Sequence, residues 1–191
     1  MNTHQPNPLR GRRHAPGFTL VELMAVLAVA SILLGAGLPA FTGMIRSVKL
    51  TTATNDLFSG FLLARSEAVK RNSRAVVCKS MDGVSCSATG GWEQGWIVFH
   101  DANNNGLRDG SEEVISRMQA LPKDLRLSGN LNVAKYISYL PSGETKLVSG
   151  AFQAGTITLC HPSLRGGEAR NIVINASGRP RVQKAWVAQC A

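Results

Sequence analysis

Two arginines near the C-terminus have the side chains and the spacing to bind phosphate groups. Arg179 and Arg181 follow Gly178 in a predicted turn between two strands. In an extended backbone, residues two apart point to the same side, and Gly178 lets the turn adopt a positive φ angle. Each guanidinium can then donate paired hydrogen bonds to a phosphate. The other cations expected to belong to this basic surface are Lys184, Arg165 and Arg170.

A basic turn can also be a solvated surface feature that binds nothing. The formal net charge of +9 favours anionic partners without selecting one. If DNA is the ligand, phosphate contacts should dominate and sequence preference should be slight. Trp186 is the one aromatic residue near the cluster. Contact with the backbone of double-stranded DNA is therefore favoured over stacking on single-stranded bases.

A second segment has the spacing of a calcium-binding loop. Residues 101–112 place oxygen-bearing side chains at the first, third, fifth and last positions and a glycine between them, in the pattern of an EF-hand. Helices flank an EF-hand loop, whereas strands are predicted on both sides here. Asn and Gly tolerate left-handed backbone angles. We therefore predict a β-hairpin turn without a metal, and calcium binding is the alternative.

No group of residues has the pattern of an active site. His100 and His161 are the histidines beyond the N-terminal leader, and neither belongs to a Ser/His/Asp or Cys/His arrangement. The sequence contains no Walker loop, and the glycine-rich stretch at residues 165–167 is predicted to be a turn. The sequence therefore predicts a protein that is not an enzyme and that has no cofactor.

Four cysteines indicate disulfide bonds in an exported domain. The simplest pairing is local, although four cysteines allow three pairings and the sequence does not choose among them. Zinc is the competing interpretation, but the C-x-x-C spacing common in zinc sites is absent. The residues of the local pairing are Cys78 with Cys86 and Cys160 with Cys190.

The N-terminus combines a short basic segment with a long apolar one. Residues 1–17 are polar and contain three arginines and no acidic residue. Such a segment has no apolar face that could be buried in a core. Phe18–Ile45 would form a helix about 42 Å long, which exceeds the roughly 30 Å hydrocarbon core of a bilayer. An ordinary secretory signal is the alternative, but the apolar run is too long for one. It also contains Glu22, a charge that is costly in lipid unless it has a partner.

The residues Gly17-Phe18-Thr19-Leu20-Val21-Glu22 resemble the cleavage site of type IV prepilins and pseudopilins. The resemblance implies that a prepilin peptidase cuts after Gly17 and methylates Phe18. It also implies that Glu22 takes part in filament assembly, where it could neutralise the amine of Phe18 on a neighbouring subunit. Pro39 falls where many pilins carry a helix-bending proline. The expected segments are a cleaved leader (1–17), a transmembrane or filament-core half-helix (18–45) and an extracytoplasmic domain (46–191).

Beyond the apolar segment the pattern predicts one amphipathic half-helix followed by strands. Apolar residues recur at three- and four-residue steps from Leu50 to Ala68, and one helix is expected from Phe18 to Asn72. Short apolar runs separated by Gly, Asn, Ser and Pro then indicate antiparallel strands. The predicted class is α+β, with a long N-terminal helix packed on antiparallel β-sheets, and the resemblance to type IV prepilins implies that this is a pilin fold. The predicted strands are 75–79, 96–100, 113–118, 125–127, 135–140, 156–161, 171–175 and 180–186.

Four segments together resemble the GspH/FimT family of minor pseudopilins. The resemblance implies a low-abundance subunit of a pilus or pseudopilus, anchored by a single pass in the inner membrane with a periplasmic domain. The implied partners are prepilin peptidase, other pilins or pseudopilins, and the inner membrane. The segments that carry the resemblance are 91–110, 136–145, 156–162 and 172–181.

The Gly-Arg-Pro-Arg sequence at 178–181 resembles the DNA-binding element of FimT-type pseudopilins that act in natural transformation. This resemblance implies double-stranded DNA as a partner. The alternative is a pseudopilin of the type II secretion system, the GspH role. In that case the basic turn would be incidental, and the partners would be other pseudopilins or exported proteins.

Overall fold

The computed structural model describes residues 17–163 and 166–190, apart from the side chains of residues 36–40. The chain divides into two compact units, Met1–Gly43 and Met44–Ala191. Helix α1 runs from Leu20 to Arg71, close to the predicted limits.

In the first unit, Thr19 caps the start of α1. Its hydroxyl accepts a hydrogen bond from the Glu22 backbone N–H at 3.2 Å, and its carbonyl accepts one from Leu23 N–H at 3.1 Å. Such a cap satisfies N–H groups that have no partner within the helix. Glu22 also lies in the first turn, where a negative charge is stabilised by the helix dipole. Thr19 and Glu22 thus have a local role in helix initiation.

The apolar side chains of the first unit are exposed in the isolated chain. Phe18, Leu20 and Ile32 are each more than 70% exposed. Across residues 17–163 and 166–190, no helix combines the length and apolar character that crossing a membrane requires. The predicted bend at Pro39 falls among the residues whose side chains lie outside the described part of the chain.

In the second unit, one face of α1 forms the centre of the core. Its buried residues share a single apolar cluster with residues of both β-sheets, and Phe61 packs edge-on against Trp92 with ring centroids 6.2 Å apart. Burying a leucine or phenylalanine side chain stabilises a fold by about 1.5–3 kcal/mol. This face contains the residues that the sequence periodicity predicts, namely Leu50, Ala53, Leu57, Phe61, Ala64 and Ala68.

Helix α1 ends with a left-handed residue. Asn72 has a φ of 48°, and Ser73 N–H donates to the Ala68 carbonyl at 3.2 Å. This arrangement satisfies carbonyl groups at the end of the helix. Arg71 in the last turn bonds Glu67 and Glu113, so the end of the helix is also tied to the strand that follows residue 113.

Two four-stranded antiparallel sheets complete the second unit. The first sheet has the order β3-β2-β1-β5 and the second has the order β4-β6-β7-β8. The α+β class and the antiparallel pairing are therefore as predicted. The strands are β1 (Ala75–Lys79), β2 (Trp96–His100), β3 (Val114–Met118), β4 (Arg126–Gly129), β5 (Tyr136–Tyr139), β6 (Gly155–Cys160), β7 (Gly167–Ile174) and β8 (Pro180–Val187).

Strand β7 differs most from its prediction. It begins at Gly167, four residues earlier than predicted, because it pairs with β8 over its whole length, from Gly167 opposite Val187 to Ile174 opposite Pro180. Residues that the sequence pattern placed in a connection are therefore part of the sheet. Strand β8 has a partner on one side alone and forms an edge of the second sheet.

Both cysteine pairs are local disulfides. Cys78 in β1 bonds Cys86, and Cys160 at the end of β6 bonds Cys190, with Cα atoms 5.6 and 5.8 Å apart. The second disulfide closes a loop that includes β7 and β8. It therefore ties the chain after the edge strand back to the middle of the same sheet.

Candidate nucleic-acid interface

The turn that joins β7 to β8, which we call the basic turn (Asn175–Arg181), is held by its own polar groups. Gly178 N–H donates to the Asn175 carbonyl at 2.9 Å, and the Asn175 side-chain oxygen accepts bonds from Ser177 Oγ and Arg179 N–H. Gly178 has a φ of 71°, the positive angle that the sequence predicts. A left-handed angle here favours glycine over any other residue.

The two predicted arginines emerge together from this turn. Arg179 and Arg181 are exposed, whereas Pro180 between them is buried opposite Ile174. With the intervening residue turned inward, both arginine side chains extend away from the core. Among the described residues, no carboxylate forms an ion pair with either of them. Both guanidiniums are thus positioned to take an anionic ligand.

A second turn supports the basic turn from below. Thr145 N–H donates to the Ala176 carbonyl at 3.1 Å. The Thr145 hydroxyl shares its one proton between the Gln153 carbonyl at 2.7 Å and the Asn175 carbonyl at 3.0 Å. A Cβ added to Gly178 would collide with the Gly143 carbonyl oxygen. The basic turn is therefore packed against residues 143–145 without room for a side chain at Gly178.

Lys184 does not lie beside Arg181. The two residues are three apart on β8, and alternate residues of a strand point to opposite faces. Lys184 is exposed on the face shared with its cross-strand partner Arg170. The prediction that Lys184 extends the surface of Arg179 and Arg181 is therefore wrong in its geometry.

Arg170 is also placed differently from its prediction. It lies within β7 with 6% of its surface exposed, and it donates to the Glu168 carboxylate at 2.7 Å and to the Ala169 carbonyl. Its charge is already paired, so we leave it out of the candidate interface. Arg165, the remaining predicted cation, lies outside the described residues.

Arg65 is a cation near the basic turn that sequence reasoning missed. It lies in α1, is partly buried, and donates from Nε to the Gly143 carbonyl at 3.1 Å. Its partner is 78 residues away along the chain, so no local pattern could have indicated the contact.

The calcium-like loop at residues 101–112 uses its charged groups internally. The buried Asp101 carboxylate accepts the backbone N–H groups of Asn105 and Gly106, and the Glu112 carboxylate accepts those of Ala102 and Asp109. The segment after it is strand β3, as the hairpin interpretation predicts. Over the described part of the chain, no group of three or more acidic, His or Cys side chains is arranged to hold a metal ion.

Burial determines the electrostatics of Asp101. It raises the pKa of the Asp101 carboxyl above its ordinary value, and the nearby Glu112 carboxylate raises it further. The N–H bonds from Gly106 and Asn105 and the charge of Arg74 oppose the shift. Arg74 is itself buried and donates to Asn104 and Ser138, which fixes the loop against β5.

The remaining predicted residues are not gathered into one site. His161 has Nδ1 2.6 Å from the Asp124 carbonyl oxygen and Nε2 3.2 Å from that of Arg46, and either tautomer donates to one of the two. His100 has a buried Nε2 atom without a hydrogen-bond partner in the described structure. Gly17 and Phe18, the predicted processing residues, are exposed ahead of α1. All four cysteines are in disulfides.

Comparison with known families matches both parts of the chain. The Type II transport protein GspH family matches residues 53–178, and the prokaryotic N-terminal methylation motif matches residues 12–38. The GspH match covers more than half of the chain, including most of both sheets. The chain belongs to the GspH family, and its predicted likeness to GspH/FimT-type pilins is confirmed.

Known relatives and structures are pilin-like. The Pilin-like protein PilA1 of Thermus thermophilus is 27% identical over 176 residues, which covers 87% of this chain and 97% of that protein. The type IV minor pilin FimU of Pseudomonas aeruginosa matches in two crystal forms. The first has a TM-score of 0.56 at 16% identity and covers 78% of this chain and 99% of FimU. The second form has a TM-score of 0.51 at 17% identity and covers 74% of this chain and 100% of FimU. These structures confirm the pilin fold.

Proposed function

We propose that this chain is a minor pilin of a type IV pilus-like filament and that it binds double-stranded DNA through the basic turn, for uptake in natural transformation. One observation carries the proposal. Arg179 and Arg181 are exposed together on a rigid turn, and neither is paired with a carboxylate in the described residues. Unpaired guanidiniums suit phosphate because their planar N–H groups match its oxygens.

The rigidity of the turn lowers the cost of binding. Asn175, Gly178 and the Thr145 bonds already fix the backbone, so little backbone freedom is lost when Arg179 and Arg181 engage phosphates. Contacts of this kind read the backbone and not the bases. The expected ligand is duplex DNA of any sequence, bound more weakly as salt increases.

The same proposal includes the assembly route that the N-terminal motif implies. Prepilin peptidase would cut between Gly17 and Phe18 and methylate Phe18, and Glu22 would neutralise the Phe18 amine of a neighbouring pilin. Before assembly the chain would be held by a single pass through the inner membrane. The second unit, with its two disulfides, suits the oxidising periplasm.

Binding of a labelled DNA duplex to the purified chain in detergent tests the DNA proposal. The variant Arg179→Gln/Arg181→Gln should weaken binding more than tenfold at moderate salt, because two phosphate contacts are lost. The matched control is Lys123→Gln/Lys135→Gln, which removes two exposed charges away from the turn and should bind nearly as the wild type does. Equal binding by the wild type and the arginine variant would rule the proposal out.

A type II secretion pseudopilin is the second candidate, and the GspH family match favours it. The match ends at residue 178, immediately before Arg179. In this role the chain would co-purify with other pseudopilins, and its arginine variant would do so equally well. DNA binding that does not depend on Arg179 and Arg181, together with such co-purification, would favour secretion over DNA uptake.

A further inference from the structure

We infer that Arg65 of helix α1 is a third phosphate-binding cation of the same surface, positioned beside the basic turn by Gly143. This inference rests on the proposed DNA-binding function and adds to it. The site would then be built from three segments that are far apart in sequence: the helix, the turn at Gly143 and the basic turn.

Arg65 packs closely on Gly143. Arg65 Nε donates to the Gly143 carbonyl at 3.1 Å. The guanidinium also packs closely over the Gly143 α-carbon, because a Cβ added there would lie 2.8 Å from Nη2 and 3.0 Å from Cζ. Gly143 has a φ of 78°, so both its backbone angle and its neighbour require glycine.

The same Gly143 carbonyl contacts the basic turn. The Gly143 oxygen that accepts the Arg65 bond occupies the space where a Gly178 side chain would lie. A single peptide group therefore separates the Arg65 guanidinium from the residue that precedes Arg179. The bonds from Thr145 to Asn175 and Ala176 hold the two turns at this separation.

The charge of Arg65 is not neutralised by an ion pair within the described part of the chain. In the described residues, no carboxylate lies within ion-pair distance of it. Arg71 bonds Glu67 and Glu113, and Arg170 bonds Glu168. Arg65 bonds Gly143 through Nε, and within the described residues neither Nη1 nor Nη2 donates a hydrogen bond, so their N–H groups remain for a phosphate oxygen.

The salt dependence of duplex binding separates a phosphate contact from a structural role. In the full chain in detergent, Arg65→Gln should weaken binding about five- to tenfold. It should also reduce the slope of log affinity against log salt by about 0.9, the value for one phosphate contact. The control Arg126→Gln removes an exposed arginine of β4 and should leave the slope unchanged. An Arg65→Gln slope equal to that of the wild type would overturn the inference.

Two further measurements keep the result interpretable. If Arg65→Gln lowers Tm, Arg65→Lys decides the question. It keeps the charge and should preserve the slope, with affinity reduced about threefold because the planar fork is lost. A slope reduced by about 0.9 in Arg65→Lys, as in Arg65→Gln, would contradict the inference. If Arg179→Gln/Arg181→Gln loses binding while Arg65→Gln keeps the wild-type slope, the role of Arg65 is refuted and the proposed function is not. Unchanged binding in the double variant would refute the proposed function itself.

Discussion

The basic turn and the loop at residues 101–112 are both connections rich in Asn and Gly, yet they use their charges in opposite ways. In the 101–112 loop, the carboxylates of Asp101 and Glu112 accept four backbone N–H groups between them. In the basic turn, an uncharged side chain, Asn175, satisfies the backbone, and the charges of Arg179 and Arg181 remain unpaired. Charged side chains whose hydrogen bonds hold a loop together are not available to a ligand. Charged side chains on a turn that is held by other groups remain available.

Removing Asp101 should produce the largest loss of stability. Asp101→Ala leaves the buried Gly106 N–H without its acceptor and removes one of the two acceptors of Asn105 N–H, which also bonds Asn103 Oδ1, and we expect the free energy of unfolding to fall by about 3 kcal/mol. Asp109→Ala is the matched control, since Asp109 accepts from the side chains of Asn103 and Asn105 and should cost less than about 1 kcal/mol. Urea unfolding of both variants checks this. Similar losses of unfolding free energy in Asp101→Ala and Asp109→Ala would mean that the Asp101 carboxylate does not hold the loop together.

A side chain at Gly178 should be the next most damaging change. Gly178→Ala combines a left-handed backbone angle with a collision against the Gly143 carbonyl, and we expect a loss of about 2 kcal/mol and weaker DNA binding. Gly150→Ala is the control, because Gly150 has a φ of 86° and open space around its α-carbon. Gly150→Ala should lose only the unfolding free energy that the left-handed backbone angle costs an alanine, about 1 kcal/mol. Equal unfolding free energies for the two variants would argue against the close packing of the turns.

The smallest expected effect is a dependence on pH. The folded-state pKa of Asp101 is raised, so its stabilising contribution is complete below the unfolded value, about 3.9, and is lost as pH rises through the folded value. The stability of the wild type relative to Asp101→Asn should therefore decrease from pH 4 upward. Chemical unfolding of both proteins across this range measures the difference. A difference that grows with pH would mean that burial is not the dominant influence on Asp101.

The sequence predicted the features that depend on local pattern. The buried face of α1 from Leu50 to Ala68 follows from helical periodicity, and the positive φ of Gly178 follows from turn chemistry. Strands β1 and β2 have the predicted bounds because turn residues flank both of them.

The features that depend on register and tertiary contacts could not be predicted. The face of Lys184 and the burial of Arg170 follow from the pairing of β7 with β8, which begins at Gly167. Arg65 contacts Gly143, whose carbonyl packs against the basic turn, because helix α1 packs against a turn 78 residues further along the chain. The residues that neighbour Arg65, Arg170 and Lys184 in the sequence do not predict either the strand register or the helix–turn contact.

The salt dependence of duplex binding by the wild type and by Arg179→Gln/Arg181→Gln tests the central claim most directly. Removing two phosphate contacts should reduce the slope of log affinity against log salt by about 1.8, at about 0.9 for each contact. The Lys123→Gln/Lys135→Gln control should keep the wild-type slope. If the arginine variant also keeps that slope, Arg179 and Arg181 do not bind phosphate and the basic turn is not a DNA-binding surface.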